Sequence, residues 1–264
     1  MRLSSTKIIA QAEAGIGWLT FNNPEKRNAM GHDMRVAALE ALSAFRDDPA
    51  IVAVVMKGAG DKAFMSGADI SQFEPGEKGE AQRRHESETS ETLRAAWAAF
   101  PKPLIAMIHG YCLGGGLMTA MAADIRIASD DAQFGIPAAR LGIAYPLDAT
   151  RNLVSLVGPA KAKEILFTGD RFDAQEALRI GLLNRIVPLE QLNEEVRRFA
   201  QTLSHNAPLS MRAAKITINH LLQNEAQRDA GDVQRAIDTC SASEDFAEGR
   251  RAFAQKRAPQ FKGS

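Results

Sequence analysis

Apolar and polar positions change period several times along the chain, and each change marks an element. Residues 7–21 hold two short runs around Ala14-Gly15-Ile16-Gly17, the second carrying Trp18, Leu19 and Phe21. Strand-type side chains on both sides of a glycine-bearing turn predict a hairpin. From Met34, apolar residues recur at Ala38, Ala41, Leu42 and Phe45 and stop before Asp47-Asp48-Pro49. That spacing is one face of a helix with a proline-marked end. Ile51 to Met56 is apolar without alternation, which predicts a parallel strand covered on both faces.

The same order then returns. Leu104 to His109 reads as a second buried strand, Gly110 to Gly116 as a glycine-rich turn, Leu117 to Ala123 as a short helix, and Ile125 to Ala128 as a third strand. Strand, helix and strand in succession imply right-handed crossovers and an α/β fold. Helices follow at about 150–157 and 160–167, and then over Asp173 to Ile180, where Asp173 and Glu176 have capping-box-like spacing. Leu182 to Val187 reads as a last strand. Beyond Pro188 only helical stripes remain, such as Leu192, Val196, Phe199 and Leu203, with breaks at Ala207-Pro208 and near Gly231. The expected organisation is a core over 1–204 and a helical region over 205–264 that packs on the core or on another subunit.

Composition narrows the function classes. The 264 residues fit one large domain. Hydrophobic residues at 45% and charged residues at 24% leave no ground for a disordered or fibrous chain. Thirty-two basic and 32 acidic residues cancel, so the electrostatic footprint of a nucleic-acid or anionic-membrane binder is missing. Cys112 and Cys240 stand far apart with no metal-type spacing, which supports neither a disulfide framework nor a metal site. The apolar runs fall far short of the ~20 residues that span a bilayer. Ile8-Ile9-Ala10 is too short for the apolar segment of a secretory signal, and the expected compartment is the cytoplasm.

Two glycine-bearing junctions carry the candidate chemistry. Gly110-Tyr-Cys-Leu-Gly-Gly-Gly116 lies between a buried strand and a helix and matches neither the dinucleotide nor the P-loop spacing. Close helix–strand packing is the other reading of such a cluster. Lys62-Ala-Phe-Met-Ser-Gly-Ala-Asp-Ile70 also follows a buried strand. Two strand ends with free N–H groups converging on one carbonyl oxygen make an oxyanion hole, suited to the charge that develops on a thioester enolate.

Five stretches together resemble the enoyl-CoA hydratase/isomerase (crotonase) superfamily, and the resemblance covers nearly the whole chain. They are Asn23-Pro-Glu-Lys-Arg-Asn-Ala29, Lys62 to Ile70, His109 to Gly116, Ala128 to Gly135 and Glu248-Gly-Arg-Arg-Ala-Phe-Ala-Gln-Lys-Arg257. The resemblance implies a spiral of ββα turns with a C-terminal helical region, assembled as a homotrimer or homohexamer. It implies acyl-CoA substrates, with coenzyme A part of the substrate and no separate cofactor. By motif position the oxyanion donors are the N–H groups of Ala68 and Gly115, and these two residues with Asp69, Ile70, Met118 and Ala138 are expected to contact the CoA substrate. Arg27, Lys62, Ala63 and Phe64 fall where the family meets the CoA moiety. Phe261 and Lys262 fall where a neighbouring subunit closes over it. For Arg27, Lys62 and Lys262 the plain alternative is solvated surface charge.

The sequence departs from the hydratases where that family carries its two catalytic glutamates, because Met118 and Ala138 stand there. Neither side chain moves a proton, and positioned acid/base groups contribute ~10²–10⁴ in rate each. Asp148, in Gly142-Ile-Ala-Tyr-Pro-Leu-Asp148, is the leading replacement, with an N-cap for the following helix as the competing role. Tyr145 offers a hydrogen bond or simply a half-buried ring, and Asp69 offers a base or a helix cap. His85, Glu86 and Glu88 lie in a stretch that covers the acyl pocket in the family and that otherwise reads as a solvated helix face. His109 reads as a packing residue, and Met65, Met107, Met118 and Met121 as soft apolar walls. The expected activity is acyl-CoA lyase or isomerase chemistry through an enolate. Decarboxylation, dehalogenation or thioester hydrolysis at the same site, and non-catalytic acyl-CoA binding, are the alternatives.

Overall fold

A computed structural model describes residues 1–69, 79–223 and 228–264. The chain opens with the hairpin of β1 (Ile8–Glu13) and β2 (Ile16–Phe21), whose two-residue turn holds Ala14 and Gly15 both at positive φ. Positive φ at both central positions is the primed turn that matches strand twist. Helix α1 (His32–Asp47) follows and buries Met34, Ala38, Ala41, Leu42 and Phe45.

Thereafter the path repeats. Strands β3 (Ala53–Gly58) and β4 (Ala63–Met65) lead to α2 (Glu80–Ala98). Strands β5 (Leu104–Ile108) and β6 (Tyr111–Leu113) lead to α3 (Gly115–Met121), and β7 (Ile125–Ser129) and β8 (Gln133–Gly135) lead to α4 (Leu147–Thr168). Each turn sends its first strand to one sheet and its second to another. The larger sheet runs β1-β2-β3-β5-β7-β10 and the smaller β4-β6-β8-β9, where β9 is Arg171–Asp173 and β10 is Arg185–Val187. This is the expected spiral of ββα turns.

Local readings need several corrections. Gly110 to Gly116 is not one turn, since Tyr111–Leu113 pairs with both β4 and β8 and alternates around the buried Cys112. The third helix begins at Gly115, two residues early, and the strand expected from Ile51 begins at Ala53. The last strand is only Arg185–Val187. The two helices expected near 150–157 and 160–167 are present, separated at the non-helical Gly158 (φ 76°), with the first starting earlier, at Leu147. Asp173 caps α5 (Ala174–Arg179) by accepting from the Glu176 N–H at 2.8 Å.

Strands β2, β3, β5 and β7 of the larger sheet are covered on both faces, which explains the unalternating runs. One face joins the main core with Phe21, Phe64, Phe134 and Leu117. On the other, Ile16, Trp18, Val55, Ile105 and Ile127 pack under Leu192, Val196 and Ala200 of α6 (Leu192–Ser204). Helices α7 (Pro208–Leu222), α8 (Ala230–Ser241) and α9 (Glu244–Gln255) complete the chain. Helix α7 is tied to the sheet by Lys215, whose Nζ donates to Asp124 Oδ2 at 2.8 Å and to the Lys102 carbonyl at 3.0 Å. Among the described residues no helix is long and apolar enough to cross a membrane.

Candidate active site

The first junction is built by Asn28. This residue is fully buried at φ 57°, and its Nδ2 donates to the carbonyls of Ala59 and Ala63 at 2.9 and 2.8 Å while its Oδ1 accepts from the Asn23 N–H. Asn28 thereby lays Met30 alongside the turn after β4, where the Met30 N–H donates to Gly67 O at 2.8 Å and the Asp69 N–H donates to Met30 O at 3.2 Å. In such a parallel pairing the residue between the two bonds, Ala68, points its own N–H to the opposite side.

The second junction comes up on that side. Gly114 caps α3 at φ 50°, and Gly115 is the first helical residue, with an N–H that has no partner within the helix. A Cβ on Gly115 would lie 3.3 Å from the Ala68 nitrogen, and one on Gly67 would lie 3.5 Å from the Gly115 nitrogen. The two amides are neighbours across a gap that glycine leaves open. Gly116 sets the approach, because a Cβ there would lie 2.0 Å from the Met65 carbonyl oxygen.

Side chains close the surroundings. The Tyr145 hydroxyl donates to Gly114 O at 3.3 Å, and burial pushes its phenol well above the usual range, with the neighbouring Cys112 and Asp148 adding to the shift. Asp148 lies in the first turn of α4 and accepts from Arg94 Nε of α2 at 2.8 Å. The competing capping role for Asp148 is not the one it plays: Pro146 is the N-cap, and the carboxylate turns to α2 instead. Arg35 of α1 reaches back to the Met30 carbonyl at 3.3 Å, and burial lowers its pKa. Three separate bonds thus flank the two amides: Arg35 to Met30 O, Arg94 to Asp148, and Tyr145 to Gly114 O.

Met118 and Ala138 are half-buried, Met118 one turn into α3 and Ala138 in the 3-10 turn Pro137–Leu141. Met65 and Met121 are core residues, Met107 packs on the α6 side of the sheet, and Met118 is half-buried in α3. His109 is buried, which lowers its pKa and fits a packing residue. His85 and Glu88 lie on the exposed side of α2, with His85 beside His32 at 5.3 Å between ring centroids.

The residues expected to meet CoA divide by orientation. Arg27 is exposed and stacks on Tyr111, and Lys62 is exposed. Ala63 and Phe64 point into the core, Phe64 edge-on to Phe21 at 5.5 Å. Asp69 pairs with Lys26 at 2.8 Å, and Ile70 lies outside the described residues. Phe261 lies against Gly249, and the Lys262 N–H is held by the buried Asp245 carboxylate at 2.7 Å, leaving the Lys262 residue exposed.

A ββα spiral whose first two turns bring two backbone amides together defines the crotonase class of fold. Residues 11–264 match the family described as Enoyl-CoA hydratase/isomerase. The chain is 36% identical over 254 residues to Crotonyl-CoA hydratase of Syntrophomonas wolfei, covering 96% of this chain and 97% of that one. It is 33% identical to Short-chain-enoyl-CoA hydratase of Clostridium acetobutylicum, covering 95% of each. The crystal structure of an enoyl-CoA hydratase/carnithine racemase from Magnetospirillum magneticum superposes with a TM-score of 0.90 at 32% identity, covering 99% of this chain and 97% of that one. The protein belongs to the enoyl-CoA hydratase/isomerase family.

Proposed function

We propose that the protein is an acyl-CoA lyase or isomerase that works through an enolate held by the Ala68 and Gly115 N–H groups. The single observation carrying this reading is the 3.3 Å approach of a Gly115 Cβ position to the Ala68 nitrogen, which sets two amides side by side with glycine's missing side chain between them. Two donors fixed before the reaction stabilise developing oxyanion charge with no reorganisation. Asp148 is the proton carrier in this reading: its carboxylate takes a proton from the acyl α-carbon, the electron pair moves onto the thioester oxygen, and the proton returns at another carbon or a leaving group departs. Arg94 fixes the carboxylate's direction. Arg27 and Lys62 face the CoA moiety, and Phe261 and Lys262 reach it from a neighbouring subunit.

The test is Asp148→Asn, followed by exchange of the acyl α-proton in deuterated water by NMR. Exchange falls by ~10²–10⁴ if Asp148 carries the proton, with thermal stability and CoA thioester binding retained. Exchange at the unmodified rate removes Asp148 from the chemistry.

A homotrimer or homohexamer belongs to the same reading. It is supported by the exposed Ile218, Leu221 and Leu222 on α7 and by Phe253 on α9, the last 89% exposed, because exposed apolar surface marks association sites. Light scattering is expected to give the mass of three or six chains, and a monomer at micromolar concentration overturns it.

A further inference from the structure

Helix α9 ends in a turn that sends the chain back along its own length. Lys256 takes φ 53°, its N–H donates to Phe253 O, and the Arg257 N–H donates to Ala252 O, the paired bonds of a Schellman cap. Residues 257–264 then run from the end of the helix to its first turn. Glu248 takes the start of this strap, accepting from both Arg257 Nη groups at 2.6 and 2.9 Å and from the Gln260 N–H at 3.1 Å. Asp245 takes the end. Its carboxylate accepts from the Lys262 N–H at 2.7 Å with one oxygen and from the Gly263 N–H at 2.8 Å with the other, and its own N–H donates to Ser264 O at 3.2 Å.

Such a clamp is costly for a surface segment. Asp245 is 3% exposed, and among the described residues it pairs with no cation, so its charge is met by main-chain N–H groups. A buried carboxylate is tolerated only when it is hydrogen-bonded, and ordering the strap costs backbone entropy at every residue. Yet the segment so held adds little to the core: Phe261 is half-buried against Gly249, and Gly263 rests on Pro208 at the start of α7. Lys262 gives the clamp only its main-chain N–H, while the residue is exposed and, among the described residues, its side chain makes no ion pair. What the clamp fixes is the point from which an uncommitted ammonium leaves the strap.

Resting on the acyl-CoA reading above, we infer that Asp245 is a positioning residue for the nucleotide half of the substrate: by holding the amides of residues 262 and 263 it sets the Lys262 ammonium against the phosphates of CoA bound on a neighbouring subunit. Lysine is a point charge on a flexible stem, so its share in binding depends on where its main chain is fixed. A loose strap would be ordered anew at each binding event, which weakens affinity. Charge-assisted hydrogen bonds are stronger than neutral ones, and here two of them order the strap before the substrate arrives. Asp245 touches no reacting atom, so its effect falls on binding and not on the chemical step.

Acetyl-CoA and S-acetylpantetheine share the thioester and differ by the phosphates and the adenosine, and they serve as the probes. By calorimetry Asp245→Asn is expected to weaken acetyl-CoA binding by ~10-fold while S-acetylpantetheine affinity stays within about twofold. In turnover, KM for the CoA thioester rises by the same factor and kcat is unchanged. Lys262→Ala is expected to give the same loss, and the double variant no more than either, the non-additivity of two groups that act as one. Should Asp245→Asn not fold, Gly263→Pro carries the same test, since proline removes that N–H and cannot take φ 76°. A folded variant that binds acetyl-CoA as before, that loses both ligands alike, or whose loss adds to that of Lys262→Ala overturns the strap assignment alone. An unmodified protein that binds no acetyl-CoA overturns the acyl-CoA reading, and this one with it.

Discussion

Gly115→Ala is expected to lower acyl-CoA turnover by ~10²–10³ in kcat/KM, the cost of removing one oxyanion donor elsewhere, while leaving the fold intact. The added methyl would sit 3.3 Å from the Ala68 nitrogen, in the space the thioester oxygen needs. Gly115 does not have positive φ, so alanine fits the backbone there, and alanine is the better helix former by up to ~1 kcal/mol. Stability therefore changes little as activity falls. Gly116→Ala behaves oppositely. Its Cβ would meet the Met65 carbonyl oxygen at 2.0 Å, a backbone atom that cannot step aside, so α3 and β4 must separate and the loss reaches ~3 kcal/mol or more. Steady-state kinetics beside thermal unfolding distinguishes the two. If folded Gly115→Ala retains turnover within about threefold, the two amides do not hold the reacting oxygen.

The inner part of the larger sheet was legible because β3, β5 and β7 are covered on both faces. Val54, Val55, Leu104, Ile105 and Ile127 are all buried, and burial on both sides leaves an unbroken apolar run. The smaller sheet was not legible. Its strands Ala63–Met65, Tyr111–Leu113, Gln133–Gly135 and Arg171–Asp173 have three residues each, too few to show a period. Gly110 and Gly114 flank Tyr111–Leu113, so the glycines overshadowed the strand between them. Asn28 was missed as a builder of the site because polarity suggests exposure, whereas its side chain is satisfied by backbone groups about 31 and 35 positions away.

The proposed oxyanion donors are main-chain groups with no residue type of their own. Glycine spacing revealed the two junctions, but their meeting depends on the Met30 pairing and on the close passage of Gly116 past Met65. The Asp148–Arg94 pair spans 54 positions and joins α2 to α4. Local sequence left Asp148 open between catalysis and a cap, and the cap is excluded because Pro146 occupies that position.

The unmodified protein is expected to hydrate crotonyl-CoA slowly, and Met118→Glu combined with Ala138→Glu is expected to raise that rate by at least ~10². Hydration needs one group to take a proton from water and another to protonate the acyl carbon, and neither thioether nor methyl does so. Both positions are half-buried, so a carboxylate placed there keeps contact with water and escapes the cost of an unpaired buried charge. Position 118 lies one turn beyond Gly115, its N–H donating to Gly114 O at 3.0 Å. Position 138 begins the turn that leads to Tyr145 and Asp148. The retained amides would stabilise the enolate in both proteins, so the difference isolates the acid/base pair. A double variant that folds and binds crotonyl-CoA but hydrates it no faster shows that 118 and 138 do not face the reacting water. An unmodified protein already near ~10⁸ M⁻¹s⁻¹ in kcat/KM shows that other groups hold that water, and the inference from the two replaced glutamates then fails.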